Sequence, residues 1–544
     1  MTREQQTDQI DGAQLDSMHV GDIQGAFGTI GRFDIGPRVG WWRKLVTFLA
    51  ILGPGLIVMV GDNDAGAFST YTQAAQNYGT TLLWTLLLLV PVLYVNQEMV
   101  LRLGVVSGVG HARLILERFG KFWGAFSVID LFALNALTIV TEFIGISLAV
   151  EYLGLPTIAS IAVAAVLVML AASTGSFRRF EQFAVALSLG SLLLVPILFY
   201  AHAPAAQSVH DFFIPGFPHG ASIPNVMLLV IAIVGTTVAP WQLFFQQSYV
   251  IDKRITTRFL AYERWDLIVG IVFVILGAFA MFSFTAGAFA GHPEFGHFQD
   301  AGAVAAGLGK YAGKLAGIFF AIGLIDASIL GAAAVSLSTA YAVGDVLSFG
   351  HSLHRKMTDA PVFYAVYVGL IVVAATLVII PGSPLGLLTN AVQTLAGVLL
   401  PSATVFLLLL SNDRAVLGPY VNTARTNVFT GAVIAVLVML SVVLVASVLF
   451  PAITAAQIAA ILVGGTLLAV VAGAFSALSR RRFEPAAVLS PEAKRSWKMP
   501  PLPELAPARL TPMSRIWLIM LRAYLVLAVA MVVFRVVQIV LHHG

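Results

Sequence analysis

The sequence predicts an all-α integral membrane protein built from two five-span inverted repeats, with its first and sixth helices broken and extra spans at the C-terminus. Three observations predict it. Apolar residues make up 58% of the 544 positions and charged residues only 11%, with a mean hydropathy of +0.90, whereas soluble domains carry about 25% charged residues. The apolar residues are gathered into thirteen runs of spanning length. Two of those runs, five apart, carry helix-breaking residues where a membrane helix should be continuous.

The runs lie near 45–72, 80–103, 122–150, 156–176, 181–201, 224–250, 264–290, 312–345, 360–381, 385–411, 426–451, 455–478 and 514–540. Each holds roughly 20 or more residues, enough to cross about 30 Å of hydrocarbon. The connecting segments differ sharply in basic charge. Arg113, Arg118 and Lys121, then Arg178 and Arg179, then Lys253, Arg254 and Arg258 fall on the same side as the N-terminus. So do Arg355, Lys356 and the run Arg480, Arg481, Arg482, whereas Lys310, Lys314 and Arg535 fall on the other. By the positive-inside rule the N-terminus is cytoplasmic, and the chain reads as a multi-pass protein of the plasma or inner membrane.

Residues 1–44 are polar and Gly-rich, and the expectation is a disordered cytoplasmic tail rather than a cleavable signal. The core covers 45–451. An additional span at 452–479 leads into a basic, Pro-rich cytoplasmic linker at 480–513, a composition suited to lying on anionic lipid, and a C-terminal span covers 514–544. There are no cysteines, which excludes disulfides and thiolate chemistry. No H-E-x-x-H, G-x-S-x-G or P-loop occurs, so neither an enzyme nor a nucleic-acid partner is expected. The sequence does not give the oligomeric state.

The two interrupted runs carry the chemistry. In "GPGLIVMVGDNDAGAF", Gly61 and Gly66 flank Asp62, Asn63 and Asp64. In "GTTVAPWQLFFQQSYV", Pro240 stands in mid-span after Gly235, Thr236 and Thr237. Proline removes a donor and clashes with the preceding turn, and irregular backbone at membrane depth survives only inside protein or around a water-filled cavity. Matching interruptions in two halves mark an ion site near the midplane. Asp62, Asn63 and Asp64 are then oxygen ligands for a cation, since buried carboxylates persist when paired or metal-bound. The plainer reading makes Pro240 a kink and Asp64 an interface residue. Glu98 and Arg102, four apart, suit a structural helical ion pair. Asp266, Asp326 and Asp345 lie in or near the seventh and eighth runs, and Asp326 is a candidate gate or counter-charge.

At these residues the chain resembles the NRAMP family of divalent-metal transporters, in particular its divergent magnesium-transporting branch. The likeness runs from residue 45 to about 450. It is carried by "GPGLIVMVGDNDAGAF", "LLW" at 82–84, "QEMVLRLGVVSG" at 97–108, "EFIG" at 142–145, "GSFRRFEQ" at 175–182, "GTTVAPWQL" and "LTNAVQTLAGVLLPSATVFLLLLSNDRAVLG", in that order. The resemblance implies the LeuT fold and no resident cofactor. The ligands it implies are Asp64, the carbonyl of Thr236 and the amide of Gln393. It also implies departures. The family's asparagine falls at Ala67 and its sulfur ligand at Ala239. Its histidine falls at Trp241 and an aspartate of its proton route at Ile139, while Glu142 matches a family glutamate and is a candidate for a proton or polar network. Losing the thioether removes softness, so carboxylate, amide, carbonyl and water favour Mg²⁺ or Mn²⁺. Losing titratable groups argues for weak or no proton coupling. Two alternatives stay open: a proton-coupled Mn²⁺/Fe²⁺ symporter, and a carrier of an organic substrate on the same fold. The expected partners are the divalent ion and the lipid bilayer.

Overall fold

The first apolar run is three helices rather than one. α1 (Trp41–Ile51) ends at Leu52, the chain bends by 53° at Gly53, and α2 (Pro54–Val60) begins. Proline opens a helix at no cost, because its missing N–H would be unpaired there anyway. Gly53 has φ +155°, which glycine adopts freely. Residues 61–64 leave the helix, and α3 (Ala65–Tyr78) restarts with Asp64 as its N-cap. The break at 61–64 was expected from the sequence, whereas the bend at Gly53 was not.

The structure, a computed structural model, describes residues 14–34, 36–218, 220–380, 385–450, 453–480, 494, 497–506 and 508, with 515, 518, 519, 521 and 523 beyond them. The expected C-terminal span and most of the expected linker lie outside the described residues. After α3 come α4 (Trp84–Ser107), α5 (His111–Phe119), α6 (Lys121–Tyr152), α7 (Thr157–Ala172), α8 (Phe177–Gly190), α9 (Leu194–Tyr200) and α10 (Ala205–Phe213). The second half holds α11 (Ile223–Thr237), α12 (Pro240–Asp252), α13 (Leu260–Phe289), α14 (Ala301–Tyr311), α15 (Lys314–Leu347) and α16 (Pro361–Ile379). α17 (Leu385–Ser411), α18 (Arg414–Leu417), α19 (Ala424–Leu449) and α20 (Ala455–Arg480) complete the described helices. Among the described residues nine helices are long and apolar enough to span, or ten if the bent α1–α2 pair is one span.

Two groups of helices interlock. The first, second, sixth and seventh spans pack together through α2, α4, α12 and α13, and the third, fourth, eighth and ninth through α6, α7, α15 and α16. That pairing of like-numbered spans from each half is what two interleaved five-span repeats produce.

The tail departs from expectation. Residues 14–34, read as disordered, form a 3₁₀ turn at Ser17–His19 and an antiparallel hairpin of β1 (Ile23–Gly25) and β2 (Gly28–Ile30). Ile23 and Ile30 face each other across the register and bury against Ala50, Ile51, Val250 and Phe259. The glycines that suggested disorder serve close approach instead: a Cβ on Gly25 would sit 1.9 Å from the Ala50 carbonyl oxygen.

Candidate cation site at the broken helices

The break in the first span is held open by side chains. Ala65 donates its N–H to Glu142 Oε2 of α6 (3.1 Å), not back to the Gly61 carbonyl. Ala67 donates to Asp64 Oδ1 at 2.9 Å, which sets the carboxylate on the positive end of α3. Among the described hydrogen bonds none ends on the carbonyls of Gly61 or Asp62. Asp64 and Glu142 are neighbours, both lying against Gly331 of α15. Gly331 of α15 leaves them room, since a Cβ there would lie 2.9 Å from Glu142 Oε2 and 3.1 Å from Asp64 Cβ.

The break in the sixth span is made by the backbone. α11 ends at Thr237, Val238 and Ala239 are outside any helix, and Pro240 opens α12 with Ala239 as its extended N-cap. An extended conformation is what the residue before proline prefers. The Thr236 carbonyl would bond to the N–H four residues on, but that residue is Pro240 and has none. The Thr236 hydroxyl is buried and also unpartnered.

α17 closes the site. A Cβ on Gly66 would fall 1.8 Å from Gln393 Nε2, so the glycine lets this amide lie directly over the first break, and Nε2 has no hydrogen-bond partner. Gly235 proves to be a packing glycine as much as a break residue: its Cα faces the Gln393 carbonyl and Gly397 of α17 at closest approach. Tyr71 of α3 meets Thr237 at 2.7 Å. The indole of Trp241 is fully buried and lies 3.5 Å from where a Gly61 Cβ would be. The structure therefore brings together Asp64, Glu142, Gly61, Gly66, Gly235, Trp241 and Gln393.

The other two members of the Asp-Asn-Asp cluster have different neighbours. Asn63 spends its amide N–H on the Val274 carbonyl of α13 (3.1 Å), leaving Oδ1 without a partner. Asp62 lies toward Gln242 and Tyr71, fully buried, with neither oxygen in a well-formed hydrogen bond. Among the described residues no three His, Asp or Glu side chains converge as a metal cage.

Sequence reasoning missed the second cluster, at the Gly53 bend. Lys253, one residue past α12, forms a fully buried ion pair with Glu181 of α8 at 2.7 Å and donates to the carbonyls of Ile51 and Leu52. Asp266 of α13 accepts the N–H groups of Gly53 (3.2 Å), Gly55 (2.7 Å) and Leu56 (3.2 Å). The amine takes the stranded carbonyls of α1 and the carboxylate takes the stranded amides of α2, the groups every helix end leaves unpaired. The "GPG" triplet was the available signal, while Lys253 registered only as a positive-inside charge. The helical pair Glu98–Arg102 is present at 3.2 Å, with Arg264 joining Glu98 at 2.6 Å.

A helical bundle whose two interrupted spans meet around buried oxygen donors is the architecture of a membrane transport protein. The family follows from comparison. The model of the Nramp family, described as natural resistance-associated macrophage protein-like, matches residues 55–447, and the chain belongs to that family. The protein named divalent metal cation transporter MntH of Ralstonia nicotianae is 29% identical over 430 residues, covering 74% of this chain and 91% of its own. Its namesake from Staphylococcus aureus is 26% identical over 431 residues, covering 73% and 91%. The crystal structure of the Eremococcus coleocola manganese transporter shares the fold, with a TM-score of 0.60 at 18% identity over 87% of this chain and all of that one. The fold is the LeuT-like one expected.

Proposed function

We propose that this chain moves a divalent metal cation across the membrane by alternating access, with Mg²⁺ or Mn²⁺ as cargo and uptake into the cell as the direction. The relatives' name for their cargo supports the ion class. The observation that carries the reading is the donor set at the two breaks: the Asp64 carboxylate, the Thr236 carbonyl left free by Pro240 and the Gln393 amide, with no sulfur at Ala239 and no side-chain oxygen at Ala67. Hard oxygen donors suit hard ions. Asp62, with both oxygens unbonded, is the reserve carboxylate of the site. The basic loops support a cytoplasmic N-terminal side.

Coupling to protons is proposed to be weak, because Ile139 and Trp241 are buried groups that relay no proton. Proton-coupled Mn²⁺ or Fe²⁺ symport is the second reading, and the closeness of Glu142 to Asp64, both against Gly331, is what favours it. Purified protein in liposomes, given Mg²⁺, Mn²⁺ or Cd²⁺ outside with a pH indicator inside, tests both. The expected result is Mg²⁺ or Mn²⁺ entry with little acidification. Acidification that scales with metal entry selects the symporter, and entry of none of the three ions removes the metal reading.

A further inference from the structure

The folded tail does not simply rest on the protein. It touches both helix groups at the face where the Gly53 bend lies. On the side of α12, Arg254 donates to the Met18 carbonyl (2.9 Å) and the Asp22 carbonyl (3.2 Å), while Gly25 and Gly28 press on Ala50 of α1. On the side of α15 and α16, the connecting loop binds Asp16. Arg355 donates to both its carboxylate oxygens (2.7 and 2.8 Å), and the His351 N–H reaches Oδ2 at 2.9 Å. The His19 ring bonds the His351 carbonyl at 3.1 Å.

Between the two sides, the hairpin grips α8. The Ala26 N–H donates to Glu181 Oε2 (2.6 Å), Arg178 donates to the Gly25 carbonyl (3.0 Å) and Gln182 to the Ala26 carbonyl (3.1 Å). Glu181 also holds Lys253, and Lys253 holds the carbonyls before the Gly53 bend. A continuous chain of bonds thus runs from the hairpin to the hinge of the first half-helix. Asp16 is fully enclosed as a side chain, which is unusual for a carboxylate of an N-terminal segment and shows that the contact is built rather than incidental.

We propose that residues 14–30 are a strap that holds this face of the carrier shut, and that it must lift before the ion site opens to the cytoplasm. The inference rests on the transport reading above. Asp252 at the end of α12 already accepts from Tyr341 of α15 and from Ser352 and Leu353 of the following loop. The tail adds a second tie between the same two groups, so a rocking motion that separates α2 and α12 from α15 and α16 must break both. Releasing the Asp16–Arg355 pair frees one end of the strap and shifts the protein toward the open state by the free energy of that contact in the shut state.

The chain has no cysteine, so one introduced thiol reports access to the site. Ala239→Cys, buried at the sixth-span break, is labelled with a membrane-impermeant maleimide added to the strap-bearing face. Asp16→Ala and Arg355→Ala in this background should each raise the labelling rate roughly tenfold, the scale of a lost charge-assisted bond. The double variant should gain no more than the stronger single, because both remove one interaction. Unchanged labelling in folded variants overturns the proposal, as does full additivity. If Asp16→Ala fails to fold, Arg355→Ala decides alone, since its side chain is already partly exposed. Metal uptake by the otherwise wild-type protein is measured alongside. Faster labelling without metal uptake keeps the strap and removes the cargo, and uptake with unchanged labelling does the reverse.

Discussion

The two broken helices reach the same shape by opposite means. The first is pried open by polar side chains: Asp64 caps α3, Glu142 takes the Ala65 N–H, and Gln393 settles on Gly66. The sixth is broken by Pro240, and its residues at the break, Thr236, Val238 and Ala239, bring no charge. One half of the repeat supplies the charge and the other supplies a carbonyl and room. In the proposed cation site, affinity would then be set by one helix and selectivity by the other, so substitutions in the two should fail differently.

Asp64→Ala tests the charged half, and the largest effect is expected there. Removing the proposed ligand carboxylate while Glu142 stays buried should cut divalent transport by roughly a hundredfold or more, as loss of one member of a buried charged set does. Near-normal uptake by a well-expressed variant would mean that the first break does not hold the ion.

The uncharged half is probed by Ala239→Met. A thioether there should raise Cd²⁺ competition and lower Mg²⁺ passage by about tenfold, about 1.4 kcal/mol of differential binding. Ala67→Asn should deepen the shift without simple additivity. The readout is competition among Cd²⁺, Mn²⁺ and Mg²⁺ in both single variants and the double. An unchanged selectivity order in the double variant would remove the division of labour between the helices.

Asp62→Ala should cost only a few-fold in uptake, because its oxygens make no bond that organises the break. A defect larger than that of Asp64→Ala would reassign the ligand within the first helix.

The smallest effect concerns pH and the tail. Burial pulls His351 down, but the hydrogen bond and charge of Asp345, the Phe349 carbonyl and Asp16 outweigh it and raise the ring to about 9 from 6.5. The rings of His19 and Tyr341 complete its surroundings. The stability this raised value gives, most of it from Asp345 and the smallest part from Asp16 of the tail, is full below pH 6.5 and is lost as pH rises through 9. Burial pushes Asp16 up, yet the bonds from Arg355 and the Met18 amide bring it down to about 2 from 3.8. That contribution is full above pH 3.8 and disappears as pH falls through 2. Amide exchange in residues 23–30, corrected for the intrinsic rate, should therefore quicken modestly between pH 7 and 9.5. A flat profile would show that His351 does not help hold the tail.

What could be read in advance follows from the same contrast. The breaks were legible because Asp-Asn-Asp and mid-span Pro240 violate the rule for lipid-buried sequence, and violations stand out against an apolar background. Asp64 could be picked out from its family match, and the structure adds its contacts with Ala67 and Glu142. The direction of Asn63 was hidden, since a one-dimensional string does not say that Val274 offers a carbonyl from the seventh span. The folding of residues 14–34 was hidden for a related reason. Its apolar content is slight, Ile23 and Ile30 above all, and the hairpin is stabilised by surfaces that exist only after the helices have packed. Lys253 was visible as a charge, but its work at the Gly53 bend depends on Glu181 and Asp266, which arrive from distant spans.

The rings stacked beyond the site have a consequence of their own. Trp241, Phe245, Tyr249, Phe177 and His354 contact one another in sequence, with centroid separations of 6.1, 4.9, 4.7 and 5.4 Å. In electrical terms this column is an insulator laid between the site and the basic face. A hydrated ion cannot thread a close-packed row of rings one at a time, so it crosses only when the helices carrying them part together. On the transport reading proposed above, such a column would keep leak separate from transport.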